Sequence, residues 1–451
     1  MSRRRKWLLI GLAGMGDVVL FNLGIILAFY LRFLGHLPAD NFNAFERLAP
    51  WGSIVFLLLF YVYNLYASDP RLWDDVFPAV LVAVGLSFFA LMALSFLVRS
   101  FAFPRSVFFL AAVLQGLLLL GWRYLIWLWE TRVGGRRRVA VVGGNEEAAA
   151  LAVKLESYPP WFHQVVGFYA DFPVAEAGDN LITMEAKWER WLLEHPAETY
   201  VICPGIPPEI KMRIAVSAIA RGTAVYLVPE LYEIFLLGAK IAHVDDVPVL
   251  ELPELGFSPA ATAWKRITDV IFAGIGLVVA APCMAIIALL VWMTSPGPVL
   301  FRQERVGMNG RPFVLYKFRT MRDGAETVSG PVLAKRADPR VTPLGRWLRC
   351  SHLDELPQLY NVLHGDMSLV GPRPERPHFF REFAVQVPGY VQRLIVKGGI
   401  TGLAQVEGKY ETSPVDKVRY DLLYAKSFSV FMEVRIMLRT LSALFRKGRA
   451  L

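Results

Sequence analysis

Residues 348–380 have the sequence LRCSHLDELPQLYNVLHGDMSLVGPRPERPHFF, in which two adjacent carboxylates precede a proline and an apolar helical pattern. Asp354 and Glu355 stand before Pro357, and proline is tolerated in the first turn of a helix because the N–H group that it lacks would have no partner there. The pattern therefore predicts a helix that begins at or just after the acidic pair. Unpaired N–H groups at such a helix start stabilise anions, either the carboxylates themselves or a phosphate.

Arginines flank the acidic pair on both sides. The GPRP sequence at 371–374 predicts a stiff turn that directs one guanidinium, and arginine suits phosphate because its planar fork bonds two oxygens at once. Two carboxylates beside several arginines suit phosphoryl chemistry. One carboxylate attacks phosphorus, and its neighbour holds a Mg²⁺ ion that shields a diphosphate. The alternative is that the two carboxylates only cap a helix and pair with surface arginines. The arginines in question are Arg346, Arg349, Arg373 and Arg376.

Four motifs occur in the C-terminal part of the chain in a fixed order. They are YKFRTM at 316–321, LDELPQL at 353–359, GDMSLVGPRP at 365–374 and GITGLAQV at 399–406. Together they resemble the bacterial polyprenyl-phosphate hexose-1-phosphate transferases, also called monotopic phosphoglycosyl transferases. The resemblance implies transfer of a hexose-1-phosphate from a UDP-sugar to undecaprenyl phosphate, which gives undecaprenyl-diphosphate-sugar and UMP. This reaction would start an exopolysaccharide, O-antigen or capsule at the cytoplasmic face of the bacterial inner membrane.

The resemblance also implies roles for individual residues. Asp354 would be the nucleophile that forms an aspartyl phospho-sugar intermediate, and Glu355 would be the Mg²⁺ ligand. Direct attack by the lipid phosphate, with Asp354 as base or metal ligand, remains open. The sugar also remains open among glucose, galactose and N-acetylated sugars. Phosphate charge would be neutralised by Lys317, Arg319, Arg349, Arg373 and Arg376, and the substrate would be oriented by Asp366, Thr401 and Gln405.

Composition indicates a membrane protein. Hydrophobic residues make up 55% of the 451 residues, and the mean hydropathy is +0.41, which exceeds what a soluble domain shows. The net charge is +9, but no zinc spacing or RNA-binding motif accompanies it, so we expect no nucleic-acid partner. Anionic lipid headgroups and a diphosphate substrate account for the excess of basic residues. The three cysteines show no metal or redox spacing.

Four apolar runs, at about 7–31, 48–67, 76–98 and 107–129, each have the roughly 20 residues that a bilayer requires. Basic clusters at 3–6 and 136–138 place both ends of this region in the cytoplasm by the positive-inside rule. Asp17 lies within the first run, where an acidic group is costly. With no second charge expected inside the runs, we predict an interhelical hydrogen bond for Asp17 rather than a transport role.

A strand–helix–strand pattern follows at 139–142, 146–157 and 165–171, with further strands expected at 199–203 and 224–228. It predicts a Rossmann-like domain. Asn145 stands where a dinucleotide fingerprint needs glycine, and the charges of Glu146 and Glu147 would repel phosphate. We therefore expect no NAD binding. The residues that favour NAD are Gly143, Ala148 and Asp171.

A fifth apolar segment covers about 267–293. Pro282 near its middle would break a helix, and basic residues at 265–266 and at 302 and 305 favour both ends inside the cell. These features predict a re-entrant hairpin, as the resemblance also implies, and the alternatives are a fifth span or a buried core helix. Residues 428–451 predict a basic amphipathic helix in the membrane interface plane, with a core-packed terminal helix as the alternative.

The sequence thus predicts a membrane α plus α/β protein with five parts. They are a four-helix transmembrane domain (1–132), a Rossmann-like cytoplasmic domain (133–246), a linker (247–263), a re-entrant membrane helix (264–295) and an α+β catalytic domain with a C-terminal amphipathic helix (296–451). A homodimer is possible by analogy with the family. One rival is a membrane-anchored nucleotide-sugar dehydratase or epimerase, but residues 139–259 lack its Tyr-x-x-x-Lys pair. The other rival is a non-catalytic scaffold for glycan assembly.

Overall fold

The computed structural model divides into two compact units, one of residues 1–24, 66–73 and 113–233 and the other of residues 25–65, 74–112 and 234–451. The residues that it describes are 3–36, 38–67, 71–97, 103–132, 137–157, 163–169, 190–322, 324–325, 338–408 and 412–445.

Five helices of the described chain are long and apolar enough to cross a membrane. They are α1 (Arg3–Arg32), α2 (Ala39–Val62), α3 (Trp73–Leu97), α4 (Arg105–Arg132) and α8 (Pro259–Thr294). Helices α1, α3 and α4 match the first, third and fourth apolar runs of the sequence, and α8 contains the fifth apolar segment. Helix α2 overlaps the second run only in part, because it begins at Ala39 and ends at Val62 whereas the run was expected at about 48–67.

Asp17 of α1 is fully buried, with 0% exposure, and pairs with the Arg123 guanidinium of α4. Tyr66 Oη also donates to Asp17 Oδ2 at 2.9 Å. The predicted interhelical hydrogen bond is therefore present. The expectation that no second charge lies inside the apolar runs was wrong, because Arg123 lies in the fourth run. A buried carboxylate on an apolar helix is tolerated when a cation and a hydroxyl group satisfy it.

The first unit contains an open parallel sheet. Its elements are β1 (Arg137–Val142), α5 (Glu146–Glu156), β2 (His163–Tyr169), β3 (Thr199–Ile202), α6 (Pro208–Ala220) and β4 (Ala224–Leu227), and the strand order is β2-β1-β3-β4. Successive side chains of a strand face opposite sides. Accordingly, Val142 packs in a cluster with Ile210 and Ile214 of α6, whereas Val141 packs with Ala148 of α5. Helices thus cover both faces of this sheet.

The turn between β1 and α5 is tightly packed and capped. A Cβ atom on Gly143 would lie 2.6 Å from Ala148 Cβ and 2.8 Å from Cys203 Cβ. Asn145 Oδ1 accepts a hydrogen bond from the Ala148 backbone N–H at 3.0 Å, which caps the helix. Close packing of the helix therefore accounts for glycine at position 143, and helix capping accounts for asparagine at position 145. Asp171, the acidic residue that favoured NAD, lies outside the described residues.

The second unit carries the C-terminal motifs. After the short helix α7 (Leu231–Phe235), its C-terminal part begins with the antiparallel hairpin of β5 (Lys240–Val244) and β6 (Val247–Glu251), followed by α8. A second antiparallel hairpin follows, formed by β7 (Leu300–Val306) and β8 (Pro312–Phe318). The remaining elements are α9 (Pro343–Ser351), α10 (Gln358–His364), β9 (Ser368–Val370), α11 (Pro377–Gln386), β10 (Gly399–Thr401), α12 (Leu403–Glu407), α13 (Pro414–Lys426) and α14 (Val430–Ala443).

Helix α8 continues through Pro282 as one element of 36 residues. The expectation that proline would break the helix there was wrong, because the backbone stays helical from Pro259 to Thr294. Both halves of α8 nevertheless pack on the C-terminal elements. Ala273 belongs to a cluster with Leu315 and Val362, and Ile287 belongs to a cluster with Phe318. Between these contacts, Val278 and Val279 are 76% and 74% exposed.

The first turns of α8 are anchored by three polar side chains. Lys265 Nζ pairs with Glu433 Oε2 of α14 at 2.7 Å. Arg266 donates to the carbonyl groups of Val362 and Leu363 at 2.6 and 2.7 Å, at the end of α10. Asp269 Oδ1 accepts hydrogen bonds from Ser368 Oγ and the Leu369 N–H, both at 3.0 Å. The start of this helix is therefore part of the C-terminal domain.

Helix α14 packs one face into the protein. Glu433, Ile436 and Arg439 are buried, and Arg439 pairs with Glu407 of α12. This burial favours the core-packed alternative for the terminal helix. Residues 446–451, which carry the last predicted basic side chains, lie outside the described residues.

Candidate active site

The acidic pair lies on a single 3₁₀ turn between two helices. Helix α9 ends at His352, which has a left-handed backbone (φ 55°), and Leu353–Glu355 then form the turn. Helix α10 begins at Gln358, just after the pair, as the sequence predicts. Asp354 is 7% exposed. Both carboxylates line a cavity of about 1120 Å³.

This cavity brings together nearly all of the sequence-predicted site residues. Besides the acidic pair, the predicted residues on its wall are Lys317, Arg319, Arg349, Arg373, Arg376, Thr401 and Gln405. They come from β8, α9, the turn before α11, β10 and α12. Asp366 is absent from the described wall of the cavity.

Different environments separate the pKa values of the two carboxylates. Burial and then the charge of Glu355 raise the pKa of Asp354 to about 6, against the opposing influence of Lys317, Arg349 and Arg373. Burial alone would raise the pKa of Glu355 too, but the Arg373 and Lys317 cations outweigh it and lower that pKa. The Arg373 guanidinium hydrogen-bonds to both Glu355 oxygens. Divergent pKa values in neighbouring carboxylates are typical of sites where the two groups have different roles.

Lys317 and Arg349 face the acidic pair from two other elements. Burial and the nearby Arg305 cation lower the pKa of the Lys317 ammonium to about 8. Burial also lowers the pKa of Arg349, whose Nε donates to Thr320 Oγ1 at 2.8 Å. Both residues are therefore cations with reduced hydration, which strengthens their interaction with an anion in the cavity.

Arg319 and Arg376 are held by neighbouring protein groups. Arg319 Nη2 donates to the Ser295 carbonyl at 2.5 Å, which ties the end of β8 to the exit of α8. Its buried Nη1 has no hydrogen-bond partner among the described residues. The Arg376 guanidinium lies 5.8 Å from the Phe379 ring centroid. Arg319 thus anchors the end of β8 to the exit of α8.

Backbone contacts fix the turn that carries Arg373. The Gly371 N–H donates to the Thr401 carbonyl at 2.8 Å, and the Gly399 N–H donates to the Pro372 carbonyl at 2.9 Å. A Cβ atom on Gly371 would lie 2.2 Å from the Lys397 carbonyl oxygen, so only glycine permits this close approach. The stiff turn predicted from the GPRP sequence is therefore locked against β10.

The three predicted substrate-orienting residues have different positions. Thr401 Oγ1 shares a hydrogen bond with Thr440 Oγ1 at 2.7 Å, and Gln405 Nε2 donates to the Ile400 carbonyl at 3.0 Å, both on the cavity wall. Asp366 instead lies beyond the end of α10, where its Oδ2 is 3.0 Å from His364 Nδ1. Its contacts there stabilise the helix end.

Residues 260–447 match the bacterial sugar transferase family, and residues 69–188 match a family described as a CoA-binding domain. The chain is 33% identical over 323 residues to the UDP-glucose:undecaprenyl-phosphate glucose-1-phosphate transferase of Escherichia coli K12, covering 69% of this chain and 68% of the relative. This chain belongs to the polyprenyl-phosphate hexose-1-phosphate transferase family.

The names of two further relatives give N-acetylgalactosamine instead of glucose. One is a putative undecaprenyl-phosphate N-acetylgalactosaminyl 1-phosphate transferase of Bacillus subtilis, 52% identical over 132 residues, covering 29% of this chain and 73% of the relative. The other is a UDP-N-acetylgalactosamine-undecaprenyl-phosphate N-acetylgalactosaminephosphotransferase of Aeromonas hydrophila, 40% identical over 220 residues, covering 48% of this chain and 51% of the relative. Membership of this transferase family therefore does not decide the sugar.

Arg305 is a cation of the cavity that lies outside the four sequence motifs and outside the predicted site residues. Arg305 lines the cavity from β7, and its Nη1 donates to the Pro374 carbonyl at 2.8 Å. Burial and the neighbouring Arg373 cation lower its pKa to about 10. A detectable pattern was present, because Phe301, Gln303 and Arg305 alternate with exposed residues along β7 and so share its inward face.

The acidic pair fits a Mg²⁺ ion only if the substrate supplies further ligands. Among the described residues, no group of three or more His, Cys, Asp or Glu side chains could hold a metal ion. Mg²⁺ is commonly bound by one or two carboxylates together with substrate phosphates and water, which Asp354 and Glu355 can provide with a diphosphate. Because Arg373 engages both Glu355 oxygens, a metal ion would share this carboxylate with the guanidinium.

Proposed function

We propose that this transferase moves a hexose-1-phosphate from a UDP-sugar to undecaprenyl phosphate, releasing UMP, and thereby starts a surface glycan. The observation that carries this proposal is the buried Asp354 carboxylate among Lys317, Arg349 and Arg373 at the wall of one cavity. Cations that surround a carboxylate offset the charge of an incoming diphosphate, which would otherwise be repelled.

The proposed first step is attack by an Asp354 carboxylate oxygen on the sugar-linked phosphorus. A new oxygen–phosphorus bond forms, and the bond from this phosphorus to the bridging oxygen breaks, so that UMP leaves with the electron pair. Among the described residues, no side chain or backbone group hydrogen-bonds to the Asp354 carboxylate. Its lone pairs are thus available, and its low hydration favours nucleophilic attack.

The second step regenerates the carboxylate. An oxygen of undecaprenyl phosphate attacks the same phosphorus, the bond to Asp354 breaks, and undecaprenyl-diphosphate-sugar forms. A phosphate monoester has a second pKa of about 6 and is largely dianionic at neutral pH, so the acceptor needs no general base. A role for Asp354 as nucleophile is therefore favoured over a role as base.

Glu355 and Arg373 are proposed to stabilise charge rather than to react. The fork of Arg373 keeps Glu355 ionised, as the lowered pKa of this carboxyl indicates. Glu355 would then hold Mg²⁺ together with the diphosphate. When bound, Mg²⁺ supplies charge neutralisation to the phosphate oxygens.

We place the catalytic domain at the cytoplasmic face of the bacterial inner membrane, where UDP-sugars are made. A re-entrant course for α8 is supported by Ala273 and Ile287, which both pack on the same C-terminal domain. These residues are separated by about 21 Å of helix rise, and the exposed Val278 and Val279 lie between them. We propose that this exposed middle segment enters lipid and that both ends return to one side.

A homodimer and a Rossmann-like assembly domain are also part of this proposal. Strand β4 is an edge of the parallel sheet, and edge strands are available for pairing with another chain. The β5–β6 hairpin exposes four apolar side chains, those of Ile241, Val244, Val247 and Leu250. Because an isolated two-stranded hairpin is at best marginally stable, such a hairpin gains stability when these side chains are covered. A second copy of the chain would cover these side chains.

The test is UMP release by the full-length enzyme with undecaprenyl phosphate and a panel of UDP-glucose, UDP-galactose and their N-acetylated forms. We expect release with at least one of these sugars. Release of UMP that requires no acceptor, limited to one equivalent per enzyme, would support the covalent step. An enzyme that is inactive with every UDP-sugar would contradict the proposed function and favour the scaffold.

A further inference from the structure

The buried side chain of Arg393 donates a hydrogen bond to the backbone of Arg373. Arg393 lies in the 3₁₀ turn Tyr390–Ile395 and is 3% exposed. Its Nη2 donates to the carbonyl oxygen of Arg373 at 3.1 Å. The same Nη2 lies 2.8 Å from Oδ2 of Asp421, a residue of α13 that is 2% exposed. A chain of contacts therefore runs from α13 through Arg393 to the arginine that grips Glu355.

The other side of the Arg393 guanidinium is also occupied. Nη1 donates to Tyr390 Oη at 2.5 Å and lies 3.9 Å from Glu375 Oε1. A guanidinium can serve these partners together because its donors lie in one rigid plane, whereas a lysine ammonium is a single compact charge on a flexible stem. Arg393 borders the cavity, but both of its terminal nitrogens are directed at protein groups.

The turn needs such a contact because its other anchors lie on different residues. Glycine N–H groups and the Pro372 carbonyl fix its first half against β10. Arg305 holds the Pro374 carbonyl from β7, and the Val306 N–H holds the Glu375 carbonyl. Of the described contacts, the one to the Arg373 carbonyl itself comes from Arg393. This contact acts directly at the residue whose side chain must meet two carboxylate oxygens.

We propose that Arg393 is a positioning residue for the transfer reaction, and that with Asp421 it fixes the Arg373 backbone so that the Arg373 fork meets both oxygens of Glu355. Arg393 does not contact the reacting atoms and acts through Arg373. The inference rests on the proposed transfer reaction. A misplacement of about 1 Å in a catalytic group can lower the rate about 100-fold, so even a small shift of the turn is measurable.

The test is a double-mutant cycle in the full-length enzyme with UMP release as the assay. Arg393→Lys keeps the charge opposite Asp421 but removes the fork. We expect it to lower kcat about 10-fold or more with a smaller change in KM, since geometry rather than ground-state binding is lost. In an Arg373→Lys background the same substitution should cost little more, because the residue that it positions is already altered.

The matched control is Asp416→Asn, which removes an ion pair with Arg419 on the same helix and should change kcat by less than about twofold. If Arg393→Lys fails to fold, Asp421→Asn, which keeps the side-chain shape, gives the same cycle. Equal losses of kcat in the wild-type and Arg373→Lys backgrounds, or an unchanged kcat in Arg393→Lys, would overturn the positioning role alone. Absence of UMP release from the wild-type enzyme would overturn the transfer reaction and this inference with it.

Discussion

Arg373 donates to both carboxylate oxygens of Glu355, whereas the adjacent Asp354 carboxylate receives no such fork. Two neighbouring residues of one turn thereby acquire different chemistry. Arg373 keeps the Glu355 carboxylate ionised and offsets part of its negative charge, which suits a group that stabilises charge. Asp354 is buried and, in the part of the chain that the structure describes, its carboxylate receives no hydrogen bond, which suits a nucleophile.

The first prediction is a bell-shaped pH dependence of kcat/KM. In the proposed covalent mechanism Asp354 must be ionised to attack, and its pKa of about 6 means that activity should rise as the pH increases through this value. Lys317 must be protonated to neutralise phosphate, and its pKa of about 8 means that activity falls above this value. Initial rates of UMP release from about pH 5 to 9 test both limbs.

Lys317→Arg is the control for the assignment of the alkaline limb. Arginine remains protonated throughout this range, so the variant should lose the descending limb while it keeps the acid limb. An alkaline limb that stays near pH 8 in this variant would assign it to another group.

The second prediction concerns covalent labelling. With a UDP-sugar that carries label in its sugar-side phosphate, and without lipid acceptor, the wild-type enzyme should become labelled on Asp354. Asp354→Asn should abolish labelling and transfer, since the amide cannot form the ester. Glu355→Gln should retain a nucleophile but need more Mg²⁺ and transfer at least about 10-fold more slowly. Peptide mass analysis after quenching locates the label.

Parallel initial-rate lines, as expected for a ping-pong scheme, should accompany this labelling. An active enzyme that never carries label and gives intersecting lines would instead establish direct attack by the lipid phosphate. The transferase function itself would survive that result.

The third prediction concerns the buried ion pair between α8 and α14. Lys265→Met should leave Glu433 as an unpaired buried charge and destabilise the protein by about 3–5 kcal/mol. Burial already raises the pKa of Glu433, so the carboxylate depends on its cation. Adding Glu433→Gln should recover most of the loss, because no uncompensated charge then remains.

Thermal unfolding in detergent measures this effect, and Lys240→Met, on the exposed hairpin, is the control for loss of one lysine. An unfolding temperature equal to that of the wild type in Lys265→Met would show that the pair contributes nothing to the anchoring of α8.

Much of the cavity could be predicted from sequence, because the four motifs carry the residues that line it. What could not be predicted were contacts that depend on register and turn geometry. Arg305 reaches the Pro374 carbonyl because it stands opposite Phe313 at the end of the β7–β8 ladder. Asp366 belongs to a motif but leaves the cavity, because Gly365 ends α10 with a left-handed backbone (φ 103°) and redirects the chain.

In the membrane helices, the sequence identified the costly residue but not its partner. Asp17 was expected to bond across helices, and its pairing with Arg123 depends on which faces of α1 and α4 meet. Helical periodicity within one segment does not contain that information. The uninterrupted course of α8 through Pro282 also could not be predicted from its own sequence. Contacts with neighbouring elements can maintain a helix that proline alone would disfavour.

The fourth prediction is that the α/β sheet does not bind a dinucleotide. Asn145 already bonds the Ala148 N–H, and Glu146 and Glu147 place negative charge in the first helical turn. A pyrophosphate would meet an occupied donor and two like charges. Calorimetry with NAD, NADP and CoA should give no saturable heat at physiological concentrations. Saturable binding of any of them that is lost in Asn145→Asp would assign this sheet a nucleotide site.

The fifth prediction concerns the course of α8. In a background without Cys203, Cys283 and Cys350, single cysteines are placed at Ala263, in the first turns of α8, and at Met308, beyond its C-terminal end, and both positions are exposed. A membrane-impermeant thiol reagent added to intact cells should label neither position if the helix is re-entrant. His36→Cys, in the α1–α2 connection, should be labelled, because the predicted topology of four spans with both ends in the cytoplasm places this connection outside the cell.

Labelling at Met308 but not at Ala263 would establish a full span and overturn the re-entrant course. Pro282→Ala provides an independent test, because removal of proline restores an i→i−4 hydrogen bond and favours a straight helix. Part of the population should then cross the bilayer, which would carry the cavity away from cytoplasmic UDP-sugar. We expect a loss of activity of about two- to tenfold together with partial labelling at Met308. The fraction of activity lost should equal the fraction of molecules labelled, because the same misplaced molecules cause both effects.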